Sequence, residues 1–140
     1  MEATSRTTNE EFLNEAFGPE ATEMIITSHV VNDDNAEWET EAGNDTEDRI
    51  FLLSLDEADK YFADDESRIA SCTAYALAQA GFKTDGDTDD TEGYNWWLRS
   101  PGSSEKYIAK VNYNGKIDPY GFPNMPAIGA VRPALWINIG

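Results

Sequence analysis

The chain has 140 residues, which suits a single domain over residues 1–140 with a flexible start at 1–8. Hydrophobic residues make up 40% of it, with four Trp, six Tyr and six Phe, so the composition excludes wholesale disorder. The formal net charge of −17 excludes electrostatic attachment to nucleic acid or to anionic membranes, and it favours cationic partners.

The sequence carries no recognisable targeting, disulfide or cofactor motif. No run of 18 apolar residues could span a membrane, and the first twenty residues lack the apolar stretch of a signal peptide. The compartment is therefore unknown, and it is cytoplasmic if the chain is a full gene product. The one cysteine, Cys72, makes no internal disulfide, and no Cys/His cluster has zinc spacing. We expect no metal and no other cofactor.

The acidic charge is unevenly placed along the chain. Residues 1–93 hold 25 Asp and Glu against 5 Lys and Arg, a balance of −20, and residues 94–140 hold 2 against 5, a balance of +3. A solvated surface explains such a charge, and so does mimicry of a nucleic-acid backbone that occupies the basic groove of another protein.

The first third of the chain predicts short helices and then a strand. A capping-box pattern places a helix from near Asn9 to Gly18. Pro19 suits the first turn of a second helix that runs through Met24. Residues 25–31 are rich in β-forming side chains and predict a strand.

An acidic loop and a second helical region follow. Residues 32–48 hold eight acids and no base, which predicts an exposed loop. Its large apolar residue, Trp38, is either an anchor on the protein body or a binding handle. The apolar residues 49–54 predict a buried strand, and Asp56 can cap a helix that runs to about Phe62.

A helix is predicted over residues 71–80 and another acidic loop over 83–93. Alternating aspartates in this loop resemble the start of a calcium-binding loop, but Asp90 replaces the required glycine and Trp96 the required glutamate. A solvated loop is therefore predicted there. The alternating aspartates are Asp85, Asp87 and Asp89.

From Asn95 the pattern changes to β structure. Asn114-Gly115 between two alternating segments, within residues 106–120, is typical of a two-residue hairpin turn. Residues 119–129 predict an irregular loop, and residues 131–139 a final strand with an edge or bulge at its proline. The predicted core residues of this half are Trp96, Leu98, Leu135 and Ile137.

Catalytic residues are not apparent. His29 and Cys72 are the candidate base and nucleophile, and no local motif links them. Dense carboxylates in loops carry little information about acid–base chemistry, which needs a raised pKa in a cleft. We therefore predict a protein that is not an enzyme.

The C-terminal half interleaves aromatic side chains with amide and charged ones, which is typical of recognition surfaces for sugars or proteins. Core packing is the alternative role of about half of these aromatics. Arg99 and Arg132 lie in apolar segments, where arginine usually pairs with acids or main-chain carbonyls. The candidate ligand- or partner-binding residues are Tyr94, Arg99, Ser103, Lys106, Asn112, Tyr113, Asn114, Tyr120 and Phe122.

Five segments together resemble a family of uncharacterised bacterial domains, common in gut Firmicutes, with WWLRSPG and GVRPALW signatures. The segments read NWWLRSPG, GAVRPALWIN, YIAKVNYNGKI, IFLLSLDEADKYF and CTAYALAQAG, and the resemblance covers residues 11–140. It implies an α+β, C-type-lectin-like fold related to the formylglycine-generating-enzyme superfamily, with short helices followed by a β-rich C-terminal half.

The resemblance also implies a binding face. Related variable proteins of diversity-generating retroelements bind ligands through the loops between the signature strands, here Ser103–Met125. The chain departs from the family in its shortened N-terminal part and in Ala130, which stands where valine is usual. The catalytic cysteines of formylglycine-generating enzymes have no counterpart in the C-terminal half, and the calcium ligands of true C-type lectins are not recognisable.

Two functions are predicted from different classes. The first is a non-catalytic module that binds a protein or glycan ligand through the C-terminal face. The second is an acidic inhibitor of the phage anti-defence type, which mimics nucleic acid and blocks a basic nucleic-acid-binding protein. Its candidate contact residues are Asp33, Asp34, Glu37, Glu39 and Glu41.

Overall fold

The computed structural model describes residues 10–73, 93–123 and 129–140. They form short helices and two antiparallel sheets, with most of the β structure in the C-terminal half, and this confirms the predicted α+β class. The described residues fall into two compact units. The first unit takes its residues from 10–31, 44–51 and 133–140, and the second from 32–43 and 52–132.

The first unit begins with the two predicted helices. Residues 10–16 form α1, and Pro19–Met24 form α2, with the proline at the first helical position where its missing N–H is harmless. The predicted strand at 25–31 is shorter than expected: β1 covers Ser28–Val30 and pairs antiparallel with β2, Thr46–Asp48. The acidic region 32–48 is thus not entirely loop.

Three apolar side chains and one arginine organise the first unit. Leu13, Ile25 and Val30 are buried. The Arg49 guanidinium donates to the carbonyls of Thr22 and Ile25 and to the Glu10 carboxylate, the last at 2.8 Å. It therefore ties the carbonyls at the end of α2 to α1.

Two predicted strands are wrong, because residues 49–54 and 131–139 form only isolated bridges. Phe51 and Ala134 exchange two main-chain hydrogen bonds of 3.0 and 2.7 Å, and Ile137 bridges to Ile25. Pro133 cannot donate to a ladder, so pairing does not extend along this segment. The core prediction also fails for Ile137, which is 51% exposed, and Leu135 is half-buried.

The second unit opens with two short helices, α3 at Leu55–Tyr61 and α4 at Asp65–Arg68. The helix predicted to end near Phe62 is confirmed, but its cap is Ser54 and not Asp56. Ser54 has an extended backbone, and its hydroxyl accepts from the Glu57 N–H while the Glu57 carboxylate accepts from the Ser54 N–H. This reciprocal pair needs a side-chain acceptor three residues before the glutamate. Ser54 stands at that position, whereas Asp56 immediately precedes Glu57 and lies inside the helix.

A three-stranded sheet follows, in the order β3-β4-β5, with every neighbour antiparallel. The strands are β3 at Trp96–Pro101, β4 at Tyr107–Val111 and β5 at Ile117–Pro123. Residues 121–123 were predicted only as irregular loop and instead belong to β5, and residues 124–128 of that predicted loop lie outside the described residues. The buried side chains of the sheet include Trp96, Trp97, Leu98, Ala109 and Val111, which confirms Trp96 and Leu98 as core.

The predicted hairpin between β4 and β5 is present, with a different turn. The Asn112 N–H donates to Lys116 over 2.8 Å, and the Gly115 N–H donates to the Asn112 carbonyl over 2.8 Å. Gly115 has φ +84, the left-handed conformation. Three residues rather than two therefore form the loop, which is a tight turn closed by a glycine bulge.

Both outer strands bulge away from β4. Trp97 pairs with Lys110 and Pro101 with Ile108, so four steps along β3 match two along β4. Ile108 pairs with Phe122 and Lys110 with Asp118, so four steps along β5 match the same two. Each bulge leaves main-chain groups without ladder partners, and these groups need others.

Two further predictions fall largely on residues that the structure does not describe. The helix predicted over 71–80 does not include Ser71–Thr73, which are not helical, and its remainder lies outside the described residues, as do 83–92 of the second acidic loop. Among the described helices, none is long and apolar enough to cross a membrane.

Candidate functional site

Two aromatic rings of the second unit, Trp38 and Tyr107, each contact the ring of Tyr120 at the surface. The Trp38 ring lies 5.2 Å from the Tyr120 ring at 82°, and the Tyr107 ring lies 5.6 Å from Tyr120 at 67°, both edge-to-face. Trp38 is 43% exposed and Tyr120 is 49% exposed. Such contacts contribute about 0.5–1.5 kcal/mol each and hold the rings in place. We call these three residues the aromatic cluster.

The β5 bulge positions the central ring of this cluster. Asp118 Oδ1 accepts from the N–H groups of Tyr120 (3.1 Å) and Gly121 (3.2 Å). The buried Lys110 ammonium lies 3.4 Å from Asp118 Oδ2 and above the Phe122 ring. A buried cation thus anchors the carboxylate that shapes the bulge.

The segment that carries Trp38 is a tight, acidic turn, residues 33–42, which we call the acidic turn. Main-chain hydrogen bonds join Asn35 and Thr40 in both directions, at 2.9 and 3.3 Å. Asp34 Oδ1 accepts from the Ala42 N–H, and Glu39 has φ +53. The exposed acids of this turn are the predicted Asp33, Asp34, Glu37, Glu39 and Glu41.

Asn35 fastens the acidic turn to the sheet. Its side chain is only 1% exposed, and its amide donates to the carbonyls of Pro119 (2.8 Å), Pro101 (2.9 Å) and Gly102 (3.3 Å). These carbonyls belong to the two bulged regions. One buried amide therefore satisfies groups that the bulges leave unpaired, and it places Trp38 against Tyr120.

A cleft of about 430 Å³ opens between the acidic turn and α3. Its floor holds Asn35, Ser100, Leu55, Ile117 and Pro119. The Ser100 hydroxyl accepts from the Leu55 N–H over 2.9 Å, which fixes the start of α3 on β3. The carboxylates that line the cleft are Asp33, Asp34, Glu37, Asp56 and Asp59, and none of the described lining residues is basic.

Arg99, a predicted binding residue, lies in an internal ion pair. Its guanidinium makes two hydrogen bonds to the Glu57 carboxylate, of 2.5 and 2.8 Å, and one of 2.8 Å to the Leu52 carbonyl. Burial alone raises the pKa of Glu57, but the bonds from Arg99 and Ser54 outweigh it and hold this pKa below its ordinary value. The expected structural pairing of Arg99 is confirmed. Arg132 likewise donates to the Arg68 carbonyl and stacks on the rings of Phe62 and Trp96.

The structure divides the other predicted binding residues between two ends of the sheet. Ser103, Lys106, Tyr120 and Phe122 lie toward the β3–β4 connection, where the Ser103 N–H donates to the Tyr120 carbonyl over 2.8 Å. Tyr94, Asn112, Tyr113 and Asn114 lie at the opposite end, beside the β4–β5 turn. Since β4 has five residues, the two groups are roughly 13 Å apart, too far for one small ligand.

The two candidate catalytic residues have different surroundings. His29 on β1 is exposed, with Nδ1 2.6 Å from Glu47 and Nε2 3.4 Å from Asp45. The Glu47 hydrogen bond, opposed by slight desolvation, raises the pKa of His29. Burial raises the pKa of the Cys72 thiol, which disfavours the reactive thiolate. Within the described ranges, no group of three or more His, Cys, Asp or Glu side chains could hold a metal ion.

Sequence reasoning did not single out Tyr107 as a cluster residue, nor Asn35 or Lys110 at all. The alternating pattern of β4 could have indicated that Tyr107 and Tyr120 share a sheet face. Nothing local marks Asn35 or Lys110, since each acts on residues brought near by the two bulges.

Comparison with known proteins identifies a family. The profile of a family described as "Domain of unknown function (DUF6273)" matches residues 8–139. No curated protein and no solved structure matches the chain.

Proposed function

The chain belongs to the DUF6273 family, whose function is unknown, and we propose that it is a non-catalytic binding module that holds a protein or glycan ligand on its aromatic cluster. The observation that carries the proposal is the exposed edge-to-face contact of Trp38 with Tyr120. Two large rings are held rigidly at the surface by a buried amide, and both remain about half accessible.

The rigidity of the cluster favours binding. Tyr and Trp offer large contact areas and few rotatable bonds, so a ligand that covers them costs little side-chain entropy. Their faces stack on sugar rings or on apolar protein side chains, and their polar edges hydrogen-bond at the rim. Phe122 and Ser103, next to Tyr120 in the fold, extend this surface.

A C-type-lectin-like fold is part of the proposal. Its support is the sequence resemblance together with the position of the shared motifs: NWWLRSPG forms the buried strand β3, and YIAKVNYNGKI forms β4 and the turn before β5. In this arrangement the segment Ser103–Met125 supplies ligand contacts from β5 and its neighbouring loops.

The test compares Trp38→Ala and Tyr120→Ala with Tyr61→Ala. Tyr61 is 47% exposed on α3, so it matches Tyr120 in type and exposure. Binding is measured on a glycan array and against proteins captured at high salt. We expect both cluster variants to lose affinity at least about tenfold, as central aromatic contacts do, while Tyr61→Ala retains it. If all three variants bind equally well, the aromatic cluster does not bind the ligand.

The acidic turn favours a second candidate, an inhibitor that mimics nucleic acid. Its five exposed carboxylates stand on a segment that Asn35 fixes in place, so they form a preset negative surface. Capture of a basic nucleic-acid-binding protein that weakens with salt and is competed by duplex DNA supports this function. Capture that neither salt nor DNA reduces argues against it.

A further inference from the structure

The contact between Trp38 and Tyr120 leaves most of their aromatic faces uncovered. Stacked rings would each lose one face to the partner, whereas an edge-to-face contact covers a face of only one ring. Here the two rings meet at 82° with their centroids 5.2 Å apart, and both side chains are exposed. Free aromatic surfaces therefore meet at nearly a right angle, and we call the space between these two rings the aromatic corner.

The shape of the aromatic corner suits a compact group better than a flat one. A flat sugar ring stacks on one aromatic face at a time. A compact ion can lie within about 6 Å of both ring centroids, the range over which an aromatic face attracts a cation. Tyr107 contacts Tyr120 at 67° and helps to hold that ring in place. The corner is thus a preset angle into which a small cation fits.

Other rings of the second unit already bind cations of the protein itself. The Arg132 guanidinium lies 4.9 Å from the Phe62 ring and 5.0 Å from the Trp96 ring, and the Lys110 ammonium lies 5.4 Å from the Phe122 ring. Among the residues that the structure describes, no Lys or Arg side chain lies over a ring of the aromatic cluster. Within this part of the chain, a cation on those rings can only come from a ligand.

The surrounding charge favours a positive ligand. Glu37 and Glu39 are exposed on either side of Trp38 in the sequence. The nearby Lys110 ammonium is buried and offset by the Asp118 carboxylate, 3.4 Å away. The net charge of −17 draws cations toward the protein and repels anions. Both the aromatic faces and the field around them therefore select a cation.

The chemistry of the rings indicates which cation fits. A trimethylammonium group joins a permanent positive charge to an apolar, methylated surface, so it can contact two rings without leaving an N–H donor unsatisfied. We propose that the aromatic corner binds a trimethylammonium group, such as choline or trimethyllysine carries. This inference rests on the proposed binding function and names the ligand chemistry of the same cluster.

The test compares choline with its neutral carbon analogue, in which a tert-butyl group replaces the trimethylammonium group. The two probes share one shape and differ in charge, and sodium chloride keeps the ionic strength constant. NMR titration follows the ring signals of Trp38 and Tyr120. We expect choline to shift them with an affinity at least about tenfold above that of the neutral probe, because the attraction of the rings needs the charge. Equal affinities, or no shift of either ring with choline, overturn the proposal.

Leucine variants test whether the rings bind the probe. Trp38→Leu and Tyr120→Leu each remove a ring and keep an apolar side chain, so each should weaken choline binding at least about fivefold. Tyr61→Leu, an exposed position on α3, should leave it unchanged. Equal weakening by all three variants contradicts binding at the aromatic corner.

A second titration distinguishes the sources of the trimethylammonium group. It uses N-acetyl trimethyllysine amide, with the unmethylated lysine amide as its control. Tighter binding of the trimethyllysine probe than of choline supports a methylated protein ligand, and the reverse supports a ligand that bears choline. The proposed binding function is tested apart from this result. If Tyr120→Ala abolishes capture of a natural ligand while neither probe binds the unmodified chain, the aromatic cluster stands and the trimethylammonium proposal fails.

Discussion

The side-chain amide of Asn35 donates a hydrogen bond to the Pro119 carbonyl across 84 positions of sequence. The same amide reaches the Pro101 carbonyl on β3, so one residue spans the bulges of both outer strands. Because these bonds fasten the acidic turn to the sheet, the orientation of the turn, the opening of the cleft and the contact of Trp38 with Tyr120 depend on them.

Asn35→Ala should destabilise the protein by about 2–3 kcal/mol, because it leaves buried carbonyls without donors. Urea unfolding measures the change. Hydrogen exchange should also quicken at the Glu37 amide, which donates to Asn35 Oδ1. Asn114→Ala is the control, since Asn114 is exposed in the hairpin turn and its loss should cost about 0.5 kcal/mol or less. Similar costs for the two variants would mean that Asn35 does not fasten the turn.

The ion pair of Arg99 and Glu57 should make stability depend on pH. The pKa of Glu57 lies below its ordinary 4.5 in the folded state, so the ionised carboxylate stabilises the protein above the unfolded value. That contribution is lost as the pH falls through the folded pKa. Glu57→Gln keeps an acceptor for the Ser54 N–H and removes the charge.

We expect Glu57→Gln to cost about 2 kcal/mol at neutral pH, since it leaves a largely buried guanidinium unpaired, and less in acid, where Glu57 is itself protonated. Thermal unfolding across the acidic range measures the difference. The exposed Glu66→Gln should change little at any pH. A penalty for Glu57→Gln that is constant with pH contradicts the assignment.

Local sequence signals predicted the local structure. The proline that starts α2, the cap expected at Asp56 near the start of α3 and the Asn114-Gly115 pair each act over a few residues, so their elements are present even where the cap or the turn type differs. The apolar run at 49–54 failed as a strand because its main chain bonds to scattered partners, Ala134 at Phe51 and Arg99 at Leu53.

The candidate site could be predicted only in part. Tyr120 and Phe122 are exposed where a recognition surface was expected, and the alternatives for Trp38 prove compatible, since its ring contacts Tyr120 and is still accessible. The roles of Asn35 and Lys110 were beyond sequence reasoning. Each depends on the bulges in β3 and β5, which set partners far away along the chain.

His29 should titrate above its ordinary pKa of 6.5, because its hydrogen bond to Glu47 favours the imidazolium. A raised folded pKa means that this stabilisation is complete below the unfolded value and is lost as the pH rises through the folded one. NMR titration of the imidazole measures the pKa directly. Glu47→Gln should return it toward 6.5, while Glu20→Gln, an exposed change on α2, should not. An unshifted pKa in the unmodified protein would show that His29 and Glu47 do not pair in solution.

Gly115 joins the hairpin turn to α4 through a contact that excludes any side chain. An added Cβ would lie 1.7 Å from the Asp65 carbonyl oxygen, and the φ of +84 is unfavourable for residues other than glycine. The Gly115 carbonyl also accepts a 2.8 Å hydrogen bond from the buried Arg68 side chain, so the turn cannot move away without breaking it. Gly115→Ala should therefore cost more than about 2 kcal/mol in urea unfolding. Gly43→Ala, whose added Cβ meets nothing within 4 Å, should cost less than about 0.5 kcal/mol. If Gly115→Ala is equally mild, the turn and α4 are not packed as the structure has them.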